Sequence, residues 1–219
     1  MPRQEGLTLR NELKLEGVAP IIYDCEIVNA IQGRDEEMLE GITYCEGWRD
    51  FKGMGLSVTC AYEYATDKSY VFMDDNLAEF QKLIDRSTHA ITFNGVNFDN
   101  HLLAANNINT DALIQYDILR EIWKALGFDP DKFDKSTHGK YGLEACCELN
   151  FGLKKSGNGA LAPVDWQRGL FGKVINYCAD DVHTLTKPLF EKAFVHGYIL
   201  NPNREGDTNT IILPHIKDV

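Results

Sequence analysis

Two carboxylates, Asp24 and Glu26, stand at the end of a short apolar and partly β-branched run that follows Pro20. Side chains two residues apart on a strand point to the same face, so a strand here would present both carboxylates side by side. That arrangement is unfavourable unless a cation lies between them, and hard divalent ions such as Mg²⁺ prefer oxygen ligands. Acidic residues are common at strand ends, so the pair by itself is weak evidence for a metal site.

A third carboxylate, Asp99, opens an expected helix directly after the apolar strand 90–93 and the turn that begins at Asn94. An Asp at a helix start is more often an N-cap than a metal ligand, so the cap is the better interpretation of this residue taken alone. The same interpretation is favoured for Asp117, although that side chain could also be a further acidic group near a site.

Tyr177 and Asp181 lie four residues apart within a helical pattern that extends from 169 to about 196. Residues at this spacing share a helix face, which would place a phenol beside a carboxylate and a water held at a metal. Asp180 lies about 100° further round the helix and is expected to face solvent. The reverse assignment of the two Asp residues stays open.

Strands and a hairpin must position the first carboxylates. The run 19–26 is typical of a buried strand, and the patterns at 56–62 and 69–73 indicate two further strands joined by a turn. A connection of about 29–55 separates the first strand from this hairpin, and loops of that length are usually functional, so it could cover a site. Helical spacing then predicts a helix over 77–86.

Beyond Asp99 the pattern alternates between helical and polar or Gly-rich stretches. The pattern predicts helices over 102–105 and 141–149, with an apolar periodic stretch over 114–126 between them. It indicates a polar loop over 127–140 and a Gly-rich loop over 152–163. A helical region interrupted by Pro188 follows over 169–196, and a terminal hairpin over 198–213. Strands first, followed by helices that alternate with a further strand, indicate the α/β class.

Length and composition predict one globular domain over 1–219, with a core of about 20–197 and a terminal hairpin or tail over 198–219, because 219 residues with 44% hydrophobic content can bury one sizeable core. The sequence shows neither a membrane-spanning apolar run nor a signal peptide, so we expect a soluble, cytoplasmic protein with no membrane partner. None of the six cysteines forms a CxxC pair, which favours reduced, mostly buried thiols.

Taken together and in this order, Asp-x-Glu, Asn-x-x-x-Phe-Asp and Tyr-x-x-x-Asp resemble the DEDD (DnaQ-like) 3′–5′ exonuclease superfamily, over about 21–197. The resemblance implies a ribonuclease H-like fold, with a mixed central sheet flanked by helices, and a two-metal-ion mechanism. It implies that Asp24, Glu26, Asp99 and Asp181 hold two Mg²⁺ or Mn²⁺ ions and that Tyr177 orients the attacking water. Asn176 stands where the histidine branch has its base, so the chain resembles the tyrosine (DEDDy) branch.

A later stretch, 142–166, is similar to exonuclease-like domains of phage and helicase-associated proteins. That similarity implies an enzyme acting inside the cell, with a phage-encoded protein in the host cytoplasm as one setting, and a helicase or polymerase as a partner chain. Two departures concern substrate choice: Ile27 stands where many members have Thr, and the long connection 29–55 is not typical of the proofreading type.

The implied activity is hydrolysis of phosphodiester bonds in nucleic acid, with single-stranded DNA as the first substrate and RNA as the alternative. Phe98 or Trp166 could stack on a base, although core packing is favoured for Phe98. Basic residues of the later half either follow the phosphates or belong to a solvated face of mixed sign. The candidate substrate-binding residues are Asn94, Phe98, Lys154, Lys155 and Trp166, and the other basic residues are Lys132, Lys135, Lys140, Arg168 and Lys173.

The formal net charge of −11 is unusual for a protein that contacts phosphates. Part of this charge would be metal-binding carboxylate, and bound divalent cations reverse the local sign of such a site. Negative charge also gathers in the earlier half, at 35–37 and 74–75. Two alternatives stay open: a nucleic-acid-binding or partner-docking module without turnover, and an endonuclease of the same broad fold, against which the Tyr-x-x-x-Asp helix argues.

Overall fold

A five-stranded mixed sheet forms the centre of the molecule. The computed structural model describes residues 3–33, 37–203 and 209–219, and within these ranges the side chains from residue 9 onward. The sheet order is β3-β2-β1-β4-β5, in which β1 runs antiparallel to β2 and parallel to β4. The strands are β1 (Pro20–Ile27), β2 (Leu56–Glu63), β3 (Lys68–Phe72), β4 (His89–Thr92) and β5 (Ile114–Asp117).

Helices cover both faces of this sheet, and a two-stranded antiparallel ribbon, β6 (Tyr198–Leu200) with β7 (Thr210–Ile212), follows them as expected. The helices are α1 (Arg3–Leu15), α2 (Phe51–Met54), α3 (Leu77–Asp85), α4 (Asp99–Ala105), α5 (Ile118–Ala125), α6 (Lys135–His138), α7 (Leu143–Phe151), α8 (Ala162–Gln167), α9 (Phe171–Asp180) and α10 (Lys187–His196). No helix among the described residues has the length and apolar content needed to cross a membrane.

The first strand lies between two hydrophobic cores because its side chains alternate. Ile22 belongs to the core that contains α9 and α10, whereas Ile21 and Tyr23 belong to the core beneath α3 and α4. Asp24 has the same parity as Ile22, so it points towards α9. The Cys178 thiol of α9 donates to the Asp24 carbonyl oxygen at 3.2 Å, which fixes the helix against the strand.

The long helical region near the C-terminus is two α-helices, as the proline predicted. Between α9 and α10 the chain makes a π-helical turn, Asp181–Thr186, and Pro188 lies at the start of α10. A π-helical turn inserts an extra residue and rotates the following side chains, and such turns occur often at functional sites. Asp181 is the first residue of this turn.

The structure places short helices in two stretches expected to be loops, α2 in the connection 29–55 and α6 in 127–140, and it divides the apolar periodic stretch into two elements. The apolar pattern over 114–126 is a strand followed by a helix, β5 and α5, with the change at Asp117. Asp117 is the N-cap, because its carboxylate accepts hydrogen bonds from the Leu119 and Arg120 backbone N–H groups at 3.1 and 3.3 Å. A short apolar run next to a helix cannot be separated from it by periodicity alone.

The connection after β1 is tied to α8 by one glutamine. The Gln167 side-chain amide donates to the carbonyl oxygens of Val28 and Thr43 at 2.9 and 3.0 Å, and its oxygen accepts from the Thr43 N–H at 2.7 Å. These three bonds hold the connection beside the end of β1. Of the acidic run at 35–37, Asp35 and Glu36 lie outside the described residues.

Candidate active site

A cavity of about 690 Å³ opens at the end of β1. Its walls come from β1, the turn before α4, the loop between α7 and α8, α9, and the connection after β1. All five residues predicted to be catalytic line it, together with three of the five predicted to bind substrate: Asp24, Glu26, Asp99, Tyr177, Asp181, Asn94, Phe98 and Lys155. Asp180 does not line this cavity, which agrees with the expectation that Asp181 faces the site.

Two carboxylates come from the strand itself. Burial raises the pKa of Asp24 well above its ordinary value, and the neighbouring Asp99, Asp181 and Glu26 raise it further. The pKa of Glu26 is also raised well above its ordinary value, first by burial and then by Asp181. Buried carboxylates that raise one another's pKa are held together at a cost in stability, because like charges in low dielectric repel.

Asp99 accepts a hydrogen bond from a backbone N–H of β1 that β4 does not pair. The parallel pairing of β1 with β4 ends at Ile22, so the Cys25 N–H lies beyond the paired region. The Asp99 carboxylate accepts that N–H at 2.9 Å and lies at the first residue of α4, whereas the N-cap position belongs to Phe98. Burial raises the pKa of Asp99 to about 7.

A lysine links the tyrosine and the last carboxylate. The Lys155 ammonium donates to the Tyr177 hydroxyl at 3.0 Å and forms a short ion pair with Asp181 Oδ2. Burial alone would lower the pKa of Lys155, but the contact with Asp181 outweighs it and raises the pKa above its usual value. Burial, followed by the charge of Asp181, raises the pKa of Tyr177, so the phenol stays protonated at neutral pH.

The comparisons with known proteins bear on the fold. No protein family and no curated protein matches the sequence. Among solved structures, the family B DNA polymerase from the hyperthermophilic archaeon Pyrobaculum calidifontis matches with a TM-score of 0.54 at 13% identity. The match covers 80% of this chain and 24% of the polymerase chain. The chain has the ribonuclease H-like fold.

A second solved structure that matches this ribonuclease H-like chain is a Trypanosoma brucei RNase D in complex with GMP. The TM-score is 0.37 and the identity is 16%, with 86% of this chain and 50% of the RNase D chain covered. The chain therefore spans half or less of the length of both proteins. At these identities the polymerase likeness shows a shared fold, and the chemistry has to be argued from the site itself.

Two residues outside the predicted catalytic and substrate-binding sets, Asp117 and Gly157, hold the walls of the cavity in place. Asp117 accepts the backbone N–H groups of Asn94 and Val96 at 2.8 and 3.0 Å, so the helix cap also fixes the turn before α4. A Cβ at Gly157 would lie 2.9 Å from the Tyr177 ring, so only glycine lets this loop pass so close to it. The Gly-rich pattern of the loop was a usable signal for such a close approach.

The carboxylate oxygens that line the cavity suit a hard divalent cation as metal ligands. Asp24 Oδ2 and Asp181 Oδ1 are buried oxygens without a hydrogen-bond partner, and buried acceptors of this kind call for a proton or a cation. In the part of the chain that the structure describes, no three His, Cys, Asp or Glu side chains are arranged to hold a metal ion. The chemistry of these oxygens fits a metal, but in this conformation the described side chains are not grouped around one ion position, and Lys155 supplies the positive charge beside Asp181.

Two predicted substrate-binding residues lie outside the cavity. The Lys154 ammonium pairs with Glu148 on the surface at 2.9 Å, and Trp166 lines a separate cavity beside Asp74 and Asp75. Two other members of the predicted basic group are also paired with acids, Lys132 with Asp129 and Lys173 with Asp165. These pairs favour the face of mixed sign over a continuous phosphate-binding surface.

The two histidines near the acidic motifs make ring contacts. His101 stacks on Phe51 with ring centroids 5.1 Å apart, and His183 meets Tyr62 edge to face at 5.7 Å. Burial lowers the pKa of His183, so the ring is neutral at pH 7. Neither ring lines the cavity, and we assign neither to the chemistry.

Proposed function

We propose that this chain is a metal-dependent 3′–5′ exonuclease of the DEDDy type that hydrolyses phosphodiester bonds of DNA or RNA, with an unpaired DNA strand as its first substrate. The observation that carries the proposal is the convergence of Asp24, Glu26, Asp99, Tyr177 and Asp181 on one cavity. These side chains come from β1, α4 and the α9 region, which are far apart in the sequence. The 3′–5′ direction rests on the resemblance of the motifs.

Two Mg²⁺ or Mn²⁺ ions, held by Asp24, Glu26, Asp99 and Asp181, would neutralise charge on the attacking and leaving oxygens of the phosphodiester. The protein itself would position the reacting groups and exclude bulk water from them. Tyr177 keeps its proton and offers a hydroxyl that can hydrogen-bond the attacking water, while Lys155 donates a hydrogen bond to the same hydroxyl. Catalysis would then come mainly from positioning and charge neutralisation.

The cellular setting is part of the same proposal. The enzyme would act inside the cell, in one version as a phage protein in the host cytoplasm, and a polymerase or helicase would be a separate chain that delivers the substrate. The likeness to about one quarter of a DNA polymerase chain supports nucleic acid as the substrate.

The test is hydrolysis of labelled single-stranded DNA and RNA in Mg²⁺, in Mn²⁺ and in EDTA. Asp24→Ala and Asp181→Ala should each reduce the rate by more than ~100-fold, since each removes charge stabilisation made at the reacting phosphate. Tyr177→Phe should be milder. Asp180→Ala is the matched control, because this neighbour of Asp181 lies on the same helix but outside the cavity, and its rate should equal that of the wild type.

Full activity in folded Asp24→Ala or Asp181→Ala would refute the assignment of the site. Binding of nucleic acid without cleavage under every metal condition would support the binding or docking module instead. Internal cuts without release from an end would support the endonuclease.

A further inference from the structure

We propose that Trp48 is a stacking platform for the terminal base of an unpaired strand, and that the metal-free cavity therefore holds its substrate mainly by stacking and only weakly by phosphate charge. The inference rests on the proposed function and specifies its substrate class: a single-stranded nucleic-acid end. It assigns a binding role to the connection after β1, a segment whose function the sequence motifs leave open.

Trp48 is a large apolar side chain that the fold leaves uncovered. It is 70% exposed, and it lines the same cavity as Asp24 and Asp181. One edge of the ring meets Phe98 with centroids 6.5 Å apart, and Phe98 in turn meets Phe51 at 5.9 Å. The indole is thus supported from one side and open to a ligand over most of its surface. An exposed aromatic ring at a cavity rim is a characteristic binding feature.

The turn that carries Trp48 is fixed in place. Both oxygens of the Asp50 carboxylate are used within it, since one accepts the Glu46 N–H and the other accepts the Gly53 N–H, each at 2.9 Å. The Asp50 N–H donates to the Gly47 carbonyl oxygen at 3.0 Å. A preorganised ring loses little conformational entropy when a base stacks on it, which favours binding.

Without a bound metal ion, the charges of the cavity argue against phosphate contacts as the main source of affinity. Five of the described residues that line it are acidic: Asp24, Glu26, Asp99, Glu144 and Asp181. Lys155 is the one Lys or Arg among these described lining residues, and it is already paired with Asp181. A strand end bound here gains few lysine or arginine contacts, so aromatic rings must supply much of the affinity.

Aromatic side chains are frequent in the lining of the same cavity. Trp48, Phe93, Phe98 and Tyr177 all line the cavity, and every nucleobase offers a flat face to such rings. A base inside a duplex is already stacked on both faces and paired, whereas the last base of an unpaired strand has a free face and a free pairing edge. The exposed ring therefore favours an unpaired end, with little preference for the base.

The test is binding of a fluorescein-labelled oligothymidylate to the full chain in EDTA, where no turnover occurs. Trp48→Ala should weaken binding by about 5- to 100-fold, and Trp48→Phe should restore most of it. An oligonucleotide with an abasic 3′-terminal residue should bind the wild type more weakly by a similar factor and should bind Trp48→Ala with no further loss. Phe133→Ala is the control, because this ring is 63% exposed and lies outside the cavity.

The salt dependence gives a second readout. For a single strand, the logarithm of affinity falls with the logarithm of salt by about 0.7 for each phosphate neutralised. With about one or two such contacts, the slope should be no steeper than roughly −1.4. A slope several times steeper, or unchanged affinity in Trp48→Ala, would overturn the inference.

Failure of the stacking inference and failure of the proposed function give different results. If Trp48→Ala binds and cleaves like the wild type, stacking on Trp48 is wrong and the exonuclease stands. If the wild type cleaves nothing in any metal but loses affinity on Trp48→Ala, the exonuclease is wrong and the stacking platform stands.

Discussion

At the scale of single residues, the arrangement of carboxylates in the cavity destabilises the folded protein. Burial raises the pKa of Asp24, Glu26, Asp99 and Asp181, and the charges of neighbouring carboxylates contribute to all four shifts. An acid whose pKa is raised in the folded state destabilises that state when it is ionised. Lys155 offsets part of this cost at Asp181, and a divalent cation would offset more.

Asp24→Asn should therefore make the metal-free protein more stable. The neutral amide removes a buried charge that has an unpartnered oxygen, and at neutral pH in EDTA we expect a gain of about 1 kcal/mol, or roughly 2–4 °C in Tm. In Mg²⁺ the gain should shrink or reverse, since the variant has lost a ligand. Thermal unfolding in the two buffers measures this, with Asp180→Asn as control. A variant that is less stable than the wild type in EDTA would contradict the account.

At the scale of elements, the hairpin of β2 and β3 is joined to α3 by one buried glutamate. Glu63 accepts hydrogen bonds from the Arg86 guanidinium and the Tyr70 hydroxyl, each at 2.8 Å, and Arg86 is the C-cap of α3. Burial alone would raise the pKa of Glu63, but the bonds from Arg86, Thr66 and Tyr70 lower it from 4.5 to about 2. The edge of the sheet thus depends on an ionised carboxylate.

Glu63→Gln should destabilise the protein in a pH-dependent way. A folded-state pKa below the unfolded value adds stability that is complete above about pH 5 and is lost as the pH falls towards about 2. We expect the free energy of unfolding to fall by about 2 kcal/mol at pH 7, a value that allows for solvent screening at the half-exposed Arg86. In acid this difference from the wild type should disappear. Chemical unfolding at several pH values measures it.

The matched control for this prediction is Glu79→Gln. Glu79 pairs with Lys82 at 2.6 Å, but both side chains are more than half exposed, so the change should be close to zero at every pH. A loss on Glu63→Gln that stays constant from neutral to acidic pH would contradict the role of the charge and would point to packing alone.

At the scale of the whole molecule, the parts predicted best were those fixed by local pattern and motif order. The strand with Asp24 and Glu26, the hairpin, and the separation of α9 from α10 follow from apolar spacing and from Pro188. What could not be predicted depends on contacts between distant segments. Gln167 meets Thr43 across 124 residues, and Lys154 pairs with an acid instead of following a phosphate.

The position of aromatic rings was the least predictable feature of the site. Trp166 was expected to bind substrate, yet α8 directs it to another cavity, while Trp48 reaches the site from a connection without periodic pattern. Periodicity indicates which face of an element is apolar, and it carries no information on where a long irregular segment returns. The net charge is a poor guide to the charge that a ligand meets, because five of the acidic residues that the structure describes are gathered in the cavity and several surface lysines are paired with acids.

The most direct test of the central claim follows a 5′-end-labelled single strand over time with the wild-type protein in Mn²⁺. The account predicts a ladder of products that shorten one nucleotide at a time from the 3′ end. It also predicts that EDTA or Asp181→Asn abolishes the ladder in a protein that remains folded. An intact strand in Mn²⁺ and Mg²⁺, or an equal ladder with Asp181→Asn, would contradict it.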